Sequence, residues 1–460
     1  MADAMKSELS AKDLEIQGID TVIVASPDTH GELIGKRMSS AKFREFLHRG
    51  IGMSACTFGW DLAQDIGPTM AYAGWHTGWH DFLLIPDVST LVPATWLPRT
   101  AIVIADIVEE RDHQPVEITP RRILQKQVES LAELGRTCSI ATELEFHLYL
   151  DSFQELRGVG YQNRRSASAF HADYKIQPIN SLEPFFEPLR RHLDAAGLNV
   201  EMSQGEWGLG QFEINLTYGD PVEMCDRHTL FKLAVKDIAQ QAGYSVTFMA
   251  RPNAGEVGSS CHIHFSLGDA RNDSDSERFP FWSDHDPHNA SDLLRQSIGG
   301  ILATAPELMV FFAPTVNSYR RTNSTDFAGH GPTWGYDNRT LSCRVLGNAP
   351  SAKRLEWRVP GADVNPYLAS AALIAAIKHG ITNQIDPGPA CEGDSYQNSE
   401  IFSFPRNLRE SVNNLRASEF AKHTFGPEVT EHYATYYDWE CKLFDEAVTD
   451  WELIRYFENT

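Results

Sequence analysis

Five short stretches of the chain alternate apolar with polar or ionisable residues at a period of two: 140–150, 211–216, 261–267, 340–345 and 354–359. This period is that of a β-strand, whose successive side chains point to opposite faces. One face of each predicted strand is apolar, as a core requires. The other faces carry, in chain order, Glu143, Glu145 and His147; Gln211, Glu213 and Asn215; His262, His264 and Ser266; Thr340, Ser342 and Arg344; and Arg354, Glu356 and Arg358.

These ionisable faces have two interpretations. A sheet with one face in water would also alternate, but such faces are rich in Lys and Thr, whereas these are rich in Glu, His and Arg. If they meet in one cavity, the carboxylates repel one another and take up protons unless cations neutralise them. Carboxylates with one His and no thiolate favour Mg²⁺ or Mn²⁺ over zinc, and Arg binds carboxylate and phosphate oxygens. The pattern therefore predicts metal-assisted phosphoryl transfer.

The remaining pattern predicts two domains with a boundary near residue 112. Compact apolar runs at 21–25 and 101–107 predict strands, and Gly- and Trp-rich segments such as 71–82 lie between them. The first part of the chain is therefore expected to form a small, mainly β domain.

Strands and helices mix after this boundary. A helix is predicted over 119–135, with Thr119 as its N-cap, Pro120 in its first turn and Gly135 just beyond its end. A strand follows at 138–150. A second helix should begin at Asn365 and Pro366 and end at Gly380, and the polar segment 268–290 predicts a surface loop.

Composition narrows the class of protein. The chain has 460 residues, 42% of them apolar, which allows two or three domains with a sizeable core. The net charge of −22 argues against nucleic-acid or membrane partners. Seven Cys without a CxxC pair fit a reducing cytoplasm. No signal peptide and no apolar run of membrane-spanning length is found, so a cytoplasmic location is expected.

Common nucleotide-binding and nucleophile motifs are absent from the sequence. There is no GxxxxGK[ST] loop, no GxGxxG after a predicted strand and no GxSxG. The segment 205–211 (GEWGLGQ) has three glycines, but their spacing differs from that of a dinucleotide site. If ATP is a substrate, it is therefore not held in a P-loop.

Six motifs occur in order along the chain: ELEF (143–146), EWGLGQFE (206–213), GSSCHIHFSL (258–267), NSYRR (317–321), WGYDNRT (334–340) and RLEWRVPGADVNPYLA (354–369). In these motifs the chain resembles the glutamine synthetase family. The resemblance implies an α+β fold, with a small N-terminal β-grasp domain over residues 17–111 and a large glutamine-synthetase-type α/β catalytic domain over residues 112–460. It also implies a homo-oligomer of two stacked hexameric rings, a dodecamer, whose neighbouring subunits share each active site.

The resemblance also implies roles for individual residues. Two or three divalent metal ions, Mg²⁺ or Mn²⁺, would be held in each site by Glu145, Glu206 and Glu213 and by Glu143, His262 and Glu356. Glutamate would be bound by Arg321, Arg358 and the backbone at Gly258, and the transferring phosphoryl group would be stabilised by Arg339. ATP, the co-substrate, would contact Glu201, His264, Ser266, Arg344 and Lys353. The catalytic set is expected to be Arg339, Arg321 and Glu213.

The reaction implied by the resemblance has two steps. The γ-carboxylate of glutamate attacks the γ-phosphate of ATP and forms γ-glutamyl phosphate, and an amine then displaces phosphate. The protein would thus be an ADP-forming glutamate–amine ligase. Its small-molecule partners would be glutamate, ATP and the amine.

The sequence departs from glutamine synthetases where they capture ammonium. Their flap Glu follows the NSY[KR]R motif, and its position here is taken by Phe327, with Asp326 beside it. Tyr174 keeps the Tyr of this site, whereas Val257 replaces the Asn of the usual NG pair. Replacing a carboxylate with Phe removes cation binding and adds apolar surface. The chain therefore resembles the γ-glutamyl-amine (γ-glutamylamide) synthetase branch, and a weakly basic or apolar organic amine is expected, for amine catabolism or detoxification.

Three other interpretations stay open from the sequence. The chain could be an authentic glutamine synthetase in which Asp326 substitutes for the flap Glu. It could be a non-catalytic or crystallin-like relative, although the full set of predicted metal ligands argues against this. A guanido kinase is the third, and the EWGLGQFE motif and the long N-terminal β region argue against it.

Overall fold

Two β-sheets organise the part of the chain that the computed structural model describes, which is residues 18–47, 49–269, 279–324, 327–329, 331–397 and 404–460. The first sheet lies in the N-terminal part of the chain, and the second, larger sheet contains residues of all five predicted alternating runs. Helices pack against the second sheet and supply most of the core. The α+β fold class expected from the sequence is confirmed.

The first sheet has six strands among the described residues, in the order β2-β1-β6-β4-β3, with β5 paired to β6. Strand β1 runs parallel to β6, and the other pairs are antiparallel. The predicted strands 21–25 and 101–107 lie within β1 and β6. The strands are β1 (Thr21–Pro27), β2 (Leu33–Ser39), β3 (Ile51–Ser54), β4 (Asp81–Pro86), β5 (Val92–Pro93) and β6 (Thr100–Glu109).

The second sheet has eight strands in the described part of the chain, in the order β12-β13-β14-β11-β7-β9-β8, with β10 paired to β7. Only β12 and β13 pair in parallel there. Its strands are β7 (Arg136–Tyr149), β8 (Val200–Gly205), β9 (Gln211–Leu216), β10 (Ser245–Thr247), β11 (Cys261–Asp269), β12 (Trp334–Tyr336), β13 (Cys343–Leu346) and β14 (Arg354–Trp357).

Helices surround this sheet, and the longest ones are buried along much of their length. The described helices are α1 (Ser40–Phe46), α2 (Pro120–Ala132), α3 (Phe153–Gly158), α4 (Ile176–Asn180), α5 (Glu183–Ala195), α6 (Pro221–Gln241), α7 (Asp292–Phe312), α8 (Ser318–Thr322), α9 (Pro366–Asn383), α10 (Leu408–Ala417), α11 (Glu419–Phe425), α12 (Pro427–Glu446) and α13 (Asp450–Tyr456). Within the described residues, no helix is both long and apolar enough to cross a bilayer.

Helix α2 begins where the sequence predicts, because Pro120 fits the first turn, where a missing N–H costs nothing. Thr119 occupies the N-cap position, but its side chain does not cap the helix. Its hydroxyl donates instead to the carbonyl of Val116 at 2.8 Å. The helix ends at Ala132, three residues before Gly135, which adopts a left-handed φ of +72°.

The expected end of helix α9 at Gly380 is wrong. The helix runs on to Asn383, and Gln384 takes the left-handed conformation beyond it. Gly380 is needed for close packing, because a Cβ there would lie 2.1 Å from the carbonyl oxygen of Gln296 and 2.7 Å from the nitrogen of Gly300. Helices α7 and α9 therefore meet backbone to backbone, and the glycine is a contact residue.

Two loop and strand boundaries also differ from the sequence prediction. In the run 340–345, Thr340 lies outside β13 because its N–H and its hydroxyl both donate to the side-chain oxygen of Asn338, which holds a turn. The predicted loop 268–290 begins inside β11, where Asp269 accepts a 2.8 Å hydrogen bond from Arg136. Residues 270–278 of that loop lie outside the described residues.

An ion-pair cluster around the buried Arg121 joins the N-terminal part of the chain to helices α2 and α6. The guanidinium of Arg121, on α2, lies 2.8 Å from Asp87 and 2.6 Å from Asp106, both in the N-terminal part. It also lies 2.9 Å from Asp226 on α6, whose second carboxylate oxygen accepts from Tyr367 at 2.7 Å. One buried cation thus connects elements from both parts of the chain.

The contact between α7 and α9 generates a stability prediction. Gly380→Ala should lower the free energy of unfolding by about 1–3 kcal/mol, because a methyl group has no room against α7. Thermal unfolding of the two proteins measures the difference. Gly158→Ala is the matched control, since a Cβ there meets nothing within 4 Å. Equal melting temperatures for both variants would contradict the close-packing role.

Candidate active site

Strand pairing brings the predicted polar faces together on one side of the second sheet. Antiparallel partners stand directly opposite each other, so their side chains point the same way. The opposed pairs are Glu143 with Asn215 and with His262, Glu145 with Glu213, His264 with Glu356, and Arg344 with Glu356. Residues separated by up to about two hundred positions in sequence therefore form one continuous polar surface.

Glu143 is held by two histidines. His264 Nε2 lies 2.7 Å from one carboxylate oxygen, and His262 Nδ1 lies 3.2 Å from the other. Burial disfavours the ionised carboxylate, but the hydrogen bonds from His262 and His264 outweigh this, so the pKa of Glu143 is well below its usual range. Burial lowers the pKa of His262 to about 4, so its imidazole is neutral near pH 7.

Glu145 sits deeper in the sheet. Its Oε2 accepts from the backbone N–H of Ser260 and from the side-chain amide of Gln211, both at 2.8 Å. Gln211 also donates to the carbonyl of Gly258 at 3.0 Å. Burial nevertheless raises the pKa of Glu145 above its ordinary value. These bonds orient the carboxylate without supplying a positive charge.

Among the described residues, no cationic side chain forms an ion pair with Glu206 or Glu213. Burial, followed by the negative charge of Glu145, raises the pKa of Glu206 to about 8. Burial, followed by the charge of Glu143, raises the pKa of Glu213 to about 10. The direct partners that the structure gives these carboxylates are amides, Gln204 at 3.0 Å and Asn215 at 2.8 Å. A bound cation would therefore stabilise the ionised forms of Glu206 and Glu213.

Glu356 is neutralised within the protein. It contacts Arg358 Nη1 and lies 3.1 Å from Arg344 Nη1, and His262 Nδ1 lies 3.4 Å away. Burial opposes its ionisation, but Arg358 dominates the balance and lowers the pKa of Glu356. Arg344 also contacts the exposed Asp337.

The donor set fits a divalent cation of the Mg²⁺ or Mn²⁺ class. Ligand atoms of Glu143, His264 and Glu356 lie within 4.8 Å of one another. His262 contacts the same two carboxylates, and its buried Nε2 has no hydrogen-bond partner among the described residues. Oxygen-rich sites with one imidazole suit hard cations. The six predicted metal ligands thus share one surface, with His264 beside them.

Arg321 is buried beneath this surface. Its guanidinium donates to the carbonyl of Val359 at 2.7 Å, to Ser260 Oγ at 2.8 Å and to the carbonyl of Arg358 at 3.1 Å. A Cβ at Gly258 would lie 2.7 Å from Arg321 Cγ and 2.4 Å from the carbonyl of Ala250. Only glycine therefore allows the chain to pass this close to Arg321.

Arg339 and Tyr174 lie at the open side of the site. Both are exposed, and Tyr174 has a left-handed φ of +54°. Burial and the charge of Glu206 raise the pKa of Tyr174, and the nearby positive charge of Arg339 opposes this. The two side chains therefore approach the carboxylate cluster from the solvent side.

Phe327 is 53% exposed and also has a left-handed φ, of +59°. Its carbonyl accepts a hydrogen bond from Arg358 Nη2 at 3.3 Å, which ties its backbone to the base of the site. Asp326 lies outside the described residues. An apolar ring thus stands at the rim where the sequence comparison expects a carboxylate.

A cavity of about 490 Å³ opens beside Glu143. Three of the five predicted ATP contacts, Glu201, His264 and Ser266, line it. Lys353 and Arg344 do not. Lys353 Nζ donates to the carbonyl of His288 at 2.7 Å. A second cavity of similar volume, beside Lys232 and Tyr437, contains none of the predicted site residues.

Several residues that complete the site have no role in the sequence-based prediction. Ser260 and Gln211 orient Glu145, and Arg354 Nε lies 3.0 Å from His264 Nδ1. Trp207, 57% exposed, follows Glu206 and stacks obliquely on His171 with ring centroids 5.5 Å apart. The strand alternation places Gln211 and Arg354 on the predicted polar faces, but it gives them no role.

Comparison with known proteins gives consistent results. Residues 117–456 match the family profile described as "Glutamine synthetase, catalytic domain". A γ-glutamylethanolamide synthetase of Streptomyces coelicolor is 38% identical over 451 residues, covering 96% of this chain and 93% of that protein. A glutamate–isopropylamine ligase of a Pseudomonas species is 34% identical, covering 98% of each chain.

A solved structure of a GmaS/ADP complex has the same fold. It superimposes with a TM-score of 0.84 and covers 98% of this chain and 100% of its own, at 26% identity. The similarity therefore extends over both sheets and is not confined to the site.

The raised pKa values of Glu206 and Glu213 predict how stability depends on pH without metal. An unfolded glutamate has its ordinary pKa of 4.5, whereas the folded values are about 8 and about 10. Between these values the folded state holds more protons than the unfolded state, so the free energy of unfolding falls as the pH rises. We expect the melting temperature of the metal-free protein to fall between about pH 5 and pH 9, and saturating Mg²⁺ to remove most of this fall.

Glu213→Gln tests the origin of this slope, because the amide keeps the shape of the side chain and cannot ionise. The variant should melt with a flatter pH dependence and gain less stability from Mg²⁺ than the parent protein. Glu458→Gln, on the exposed C-terminal segment, is the control. A parent-like slope in Glu213→Gln would contradict the assignment of the effect to this cluster.

Proposed function

Because the chain belongs to the glutamine synthetase family, we propose that it is an ADP-forming glutamate–amine ligase, which joins the γ-carboxylate of glutamate to an organic amine and gives a γ-glutamylamide. The observation that carries the proposal is the convergence of five carboxylates, a histidine pair and buried arginines beside a cavity large enough for a nucleotide. Two relatives with glutamate–amine ligase or γ-glutamylamide synthetase names cover nearly the whole chain.

Two or three Mg²⁺ or Mn²⁺ ions would complete the site. Glu145, Glu206 and Glu213 would hold one ion, and Glu143, His262 and Glu356 a second. Bound there, the ions would neutralise the phosphate oxygens and stabilise the charge that develops during phosphoryl transfer. The raised pKa values of Glu206 and Glu213 support this, because carboxylates without a cation partner ionise fully only when a cation arrives.

The arginines and the cavity suit the two anionic substrates. Arg358, Arg321 and the backbone at Gly258 would form the base of the glutamate pocket. Buried cations there match the carboxylates of glutamate. ATP would enter the cavity lined by Glu201, His264 and Ser266, and Arg344 and Lys353 would complete its contacts.

The reaction would run in two steps. A γ-carboxylate oxygen attacks the γ-phosphorus of ATP, the bond to the bridging oxygen of ADP breaks, and γ-glutamyl phosphate forms. Arg339, the exposed cation at the open side, would stabilise the transferring group. The neutral amine then attacks the acyl carbon, phosphate leaves, and the nitrogen loses a proton. With Arg321 and Glu213, Arg339 forms the proposed catalytic set.

The aromatic residues at the open side of the site suit an amine substrate that carries an organic group. Phe327 and Trp207 expose more than half of their surface, and Tyr174 lies near Glu206. Aromatic surface binds an alkyl or hydroxyalkyl group by burial of apolar area, which ammonium does not have. Ethanolamine, alkylamines and anilines are therefore the preferred candidates over polyamines, in a role in amine catabolism or detoxification.

Authentic glutamine synthetase is less well supported. A glutamine synthetase of Rhizobium leguminosarum is 31% identical over 81% of the chain, lower on both measures than the two amine ligases. Phe327 also supplies no charge that would bind ammonium. A non-catalytic role conflicts with the complete set of candidate ligands on the sheet.

We further propose the assembly and location expected for such an enzyme. The N-terminal β-grasp domain would span residues 17–111 and the catalytic domain residues 112–460. Exposed apolar side chains such as Trp75 and Ile454 suit a homo-oligomer, taken here as a dodecamer of two hexameric rings. Its cysteines are free among the described residues, which suits the cytoplasm.

The reaction itself is tested by phosphate release with glutamate, ATP and Mg²⁺ over a panel of acceptors. The panel contains ammonium, ethanolamine, isopropylamine, aniline, putrescine and spermine. We expect one class of small amine to give a higher kcat/KM than ammonium, and mass spectrometry to detect the matching γ-glutamylamide. Saturation at low ammonium with no gain from any amine would establish a glutamine synthetase instead. No release with any acceptor would support the non-catalytic interpretation.

The acceptor pocket is tested by Phe327→Glu. The new carboxylate should favour a cation and disfavour an alkyl group, so the ratio of kcat/KM for ammonium to that for the best amine should rise by about tenfold or more. Phe457→Glu makes the same change at an exposed Phe in the C-terminal segment and should leave the ratio unchanged. An unchanged ratio in Phe327→Glu would mean that Phe327 does not line the acceptor pocket.

A further inference from the structure

The second cavity, of about 490 Å³, lies where the N-terminal part of the chain meets helices α6 and α12. It contains none of the residues assigned to the metal, glutamate, ATP or acceptor sites. Cavities of about 300–1,000 Å³ with a mainly apolar lining and a few polar groups are typical of small-molecule sites. The apolar side chains that line this one include Val246, Phe248, Met249, Val316 and Phe444. The cavity therefore has the size and the lining of a ligand site.

Lys232, on α6, lines this cavity and is only 7% exposed. Its Nζ lies 3.5 Å from the carbonyl oxygen of Ala362, at the long limit of a hydrogen bond, and 5.4 Å from the centre of the Phe248 ring. In the described part of the chain no carboxylate forms an ion pair with it, although the charges of Glu32 and Asp363 act on it from further away. A buried ammonium group with three donors and one weak partner is costly unless an anion neutralises it.

The two carboxylates whose charges act on Lys232 already have other partners. Glu32 lies 2.6 Å from Lys236 Nζ. Asp363 accepts a hydrogen bond from the hydroxyl of Thr315 at 2.7 Å. The chain thus leaves the ammonium group of Lys232 without an ion pair of its own.

Other polar groups of the lining also lack a partner. Thr29 Oγ1 is buried and has no hydrogen-bond partner among the described residues. Arg320 is exposed, and its guanidinium forms no ion pair in the part of the chain that the structure describes. Glu440 also lines the cavity, but burial raises its pKa, which weakens its repulsion of an anion. The lining therefore offers two cations and a hydroxyl to a ligand.

We propose that this cavity binds a small organic carboxylate, whose anionic end pairs with Lys232 and whose apolar body packs against Phe248 and the neighbouring apolar side chains. The carboxylate accepts charge-assisted hydrogen bonds from Nζ, with Thr29 and Arg320 as further donors of the same lining. The apolar body gains affinity because it is removed from water. The cavity is separate from the candidate active site, so the inference does not rest on the proposed function.

Benzoate is the probe, and benzamide, which has the same ring but no charge, is the comparison. Each is titrated by calorimetry into the full-length protein, with and without excess glutamate. We expect benzoate to bind at least about tenfold more tightly than benzamide, because only benzoate gains a charge-assisted hydrogen bond. Excess glutamate should leave its affinity unchanged. Crystals soaked in 4-bromobenzoate should show the anomalous bromine peak in this cavity, with the carboxylate at hydrogen-bond distance from Lys232 Nζ.

Lys232→Met removes the charge and keeps a side chain of similar length. It should weaken benzoate binding by about tenfold or more and leave benzamide binding unchanged. Lys442→Met, at an exposed position two residues from Glu440 on α12, is the matched control and should bind benzoate like the parent protein. If Lys232→Met does not fold, Val316→Trp provides the test, because an indole at this partly exposed position fills the cavity and should abolish binding of both probes.

Several results would overturn the proposal. These are equal affinities for benzoate and benzamide, no binding of benzoate, binding that survives in Lys232→Met, loss of binding in excess glutamate, and a bromine peak confined to the surface around Arg358. The titrations contain neither ATP nor amine and measure binding directly. A protein that forms a γ-glutamylamide but does not bind benzoate would therefore contradict this inference and leave the proposed function intact.

Discussion

The site is organised by the concentration of negative charge on one face of an antiparallel sheet. Backbone pairing places Glu145 opposite Glu213, and Glu143 lies one pleat away on the same strand. Once the register is set, these carboxylates cannot move apart without breaking the sheet. The neighbouring arginines and amides offset part of the electrostatic cost of this arrangement.

The protein offsets this electrostatic cost in one way around Glu356 and in another way around Glu206 and Glu213. Around Glu356 it supplies its own cations, Arg344 and Arg358, and the pKa of this carboxylate stays low. Around Glu206 and Glu213 it supplies amide hydrogen bonds, and the pKa values rise to about 8 and about 10. The carboxylate at one end is therefore partly neutralised by arginines of the chain, whereas those at the other end depend more on an external cation.

Some features of the site can be predicted from neighbouring residues in the sequence, whereas others depend on contacts between residues that are far apart in the chain. Alternation at a period of two is a local property, so the polar faces of β7, β9, β11 and β14 could be recognised without a structure. Their meeting depends on strand order and register, which motif resemblance supplied and alternation alone could not. The bond from Arg354 to His264 joins residues 90 positions apart, so no local rule points to it.

The same distinction explains the errors. Gly380 carries the local signal of a helix end, but its neighbour across the helix interface is Gly300, and this contact requires a glycine inside the helix. Thr340 continues an alternating pattern, but the side chain of Asn338 draws its backbone into a turn. In both cases a tertiary or side-chain contact overrides a local preference. Glu143, Glu145, Glu213, His262 and Glu356 lie on strands, where alternation fixes the face on which each side chain stands.

The ion-pair cluster around Arg121 has a mechanical consequence. The buried guanidinium of Arg121 contacts carboxylates from the N-terminal part of the chain and from α6, so hinging between the two parts would separate opposite charges that are in contact. The N-terminal sheet and helix α6 should therefore move together. A force applied to the first sheet would then reach α6 through this one guanidinium.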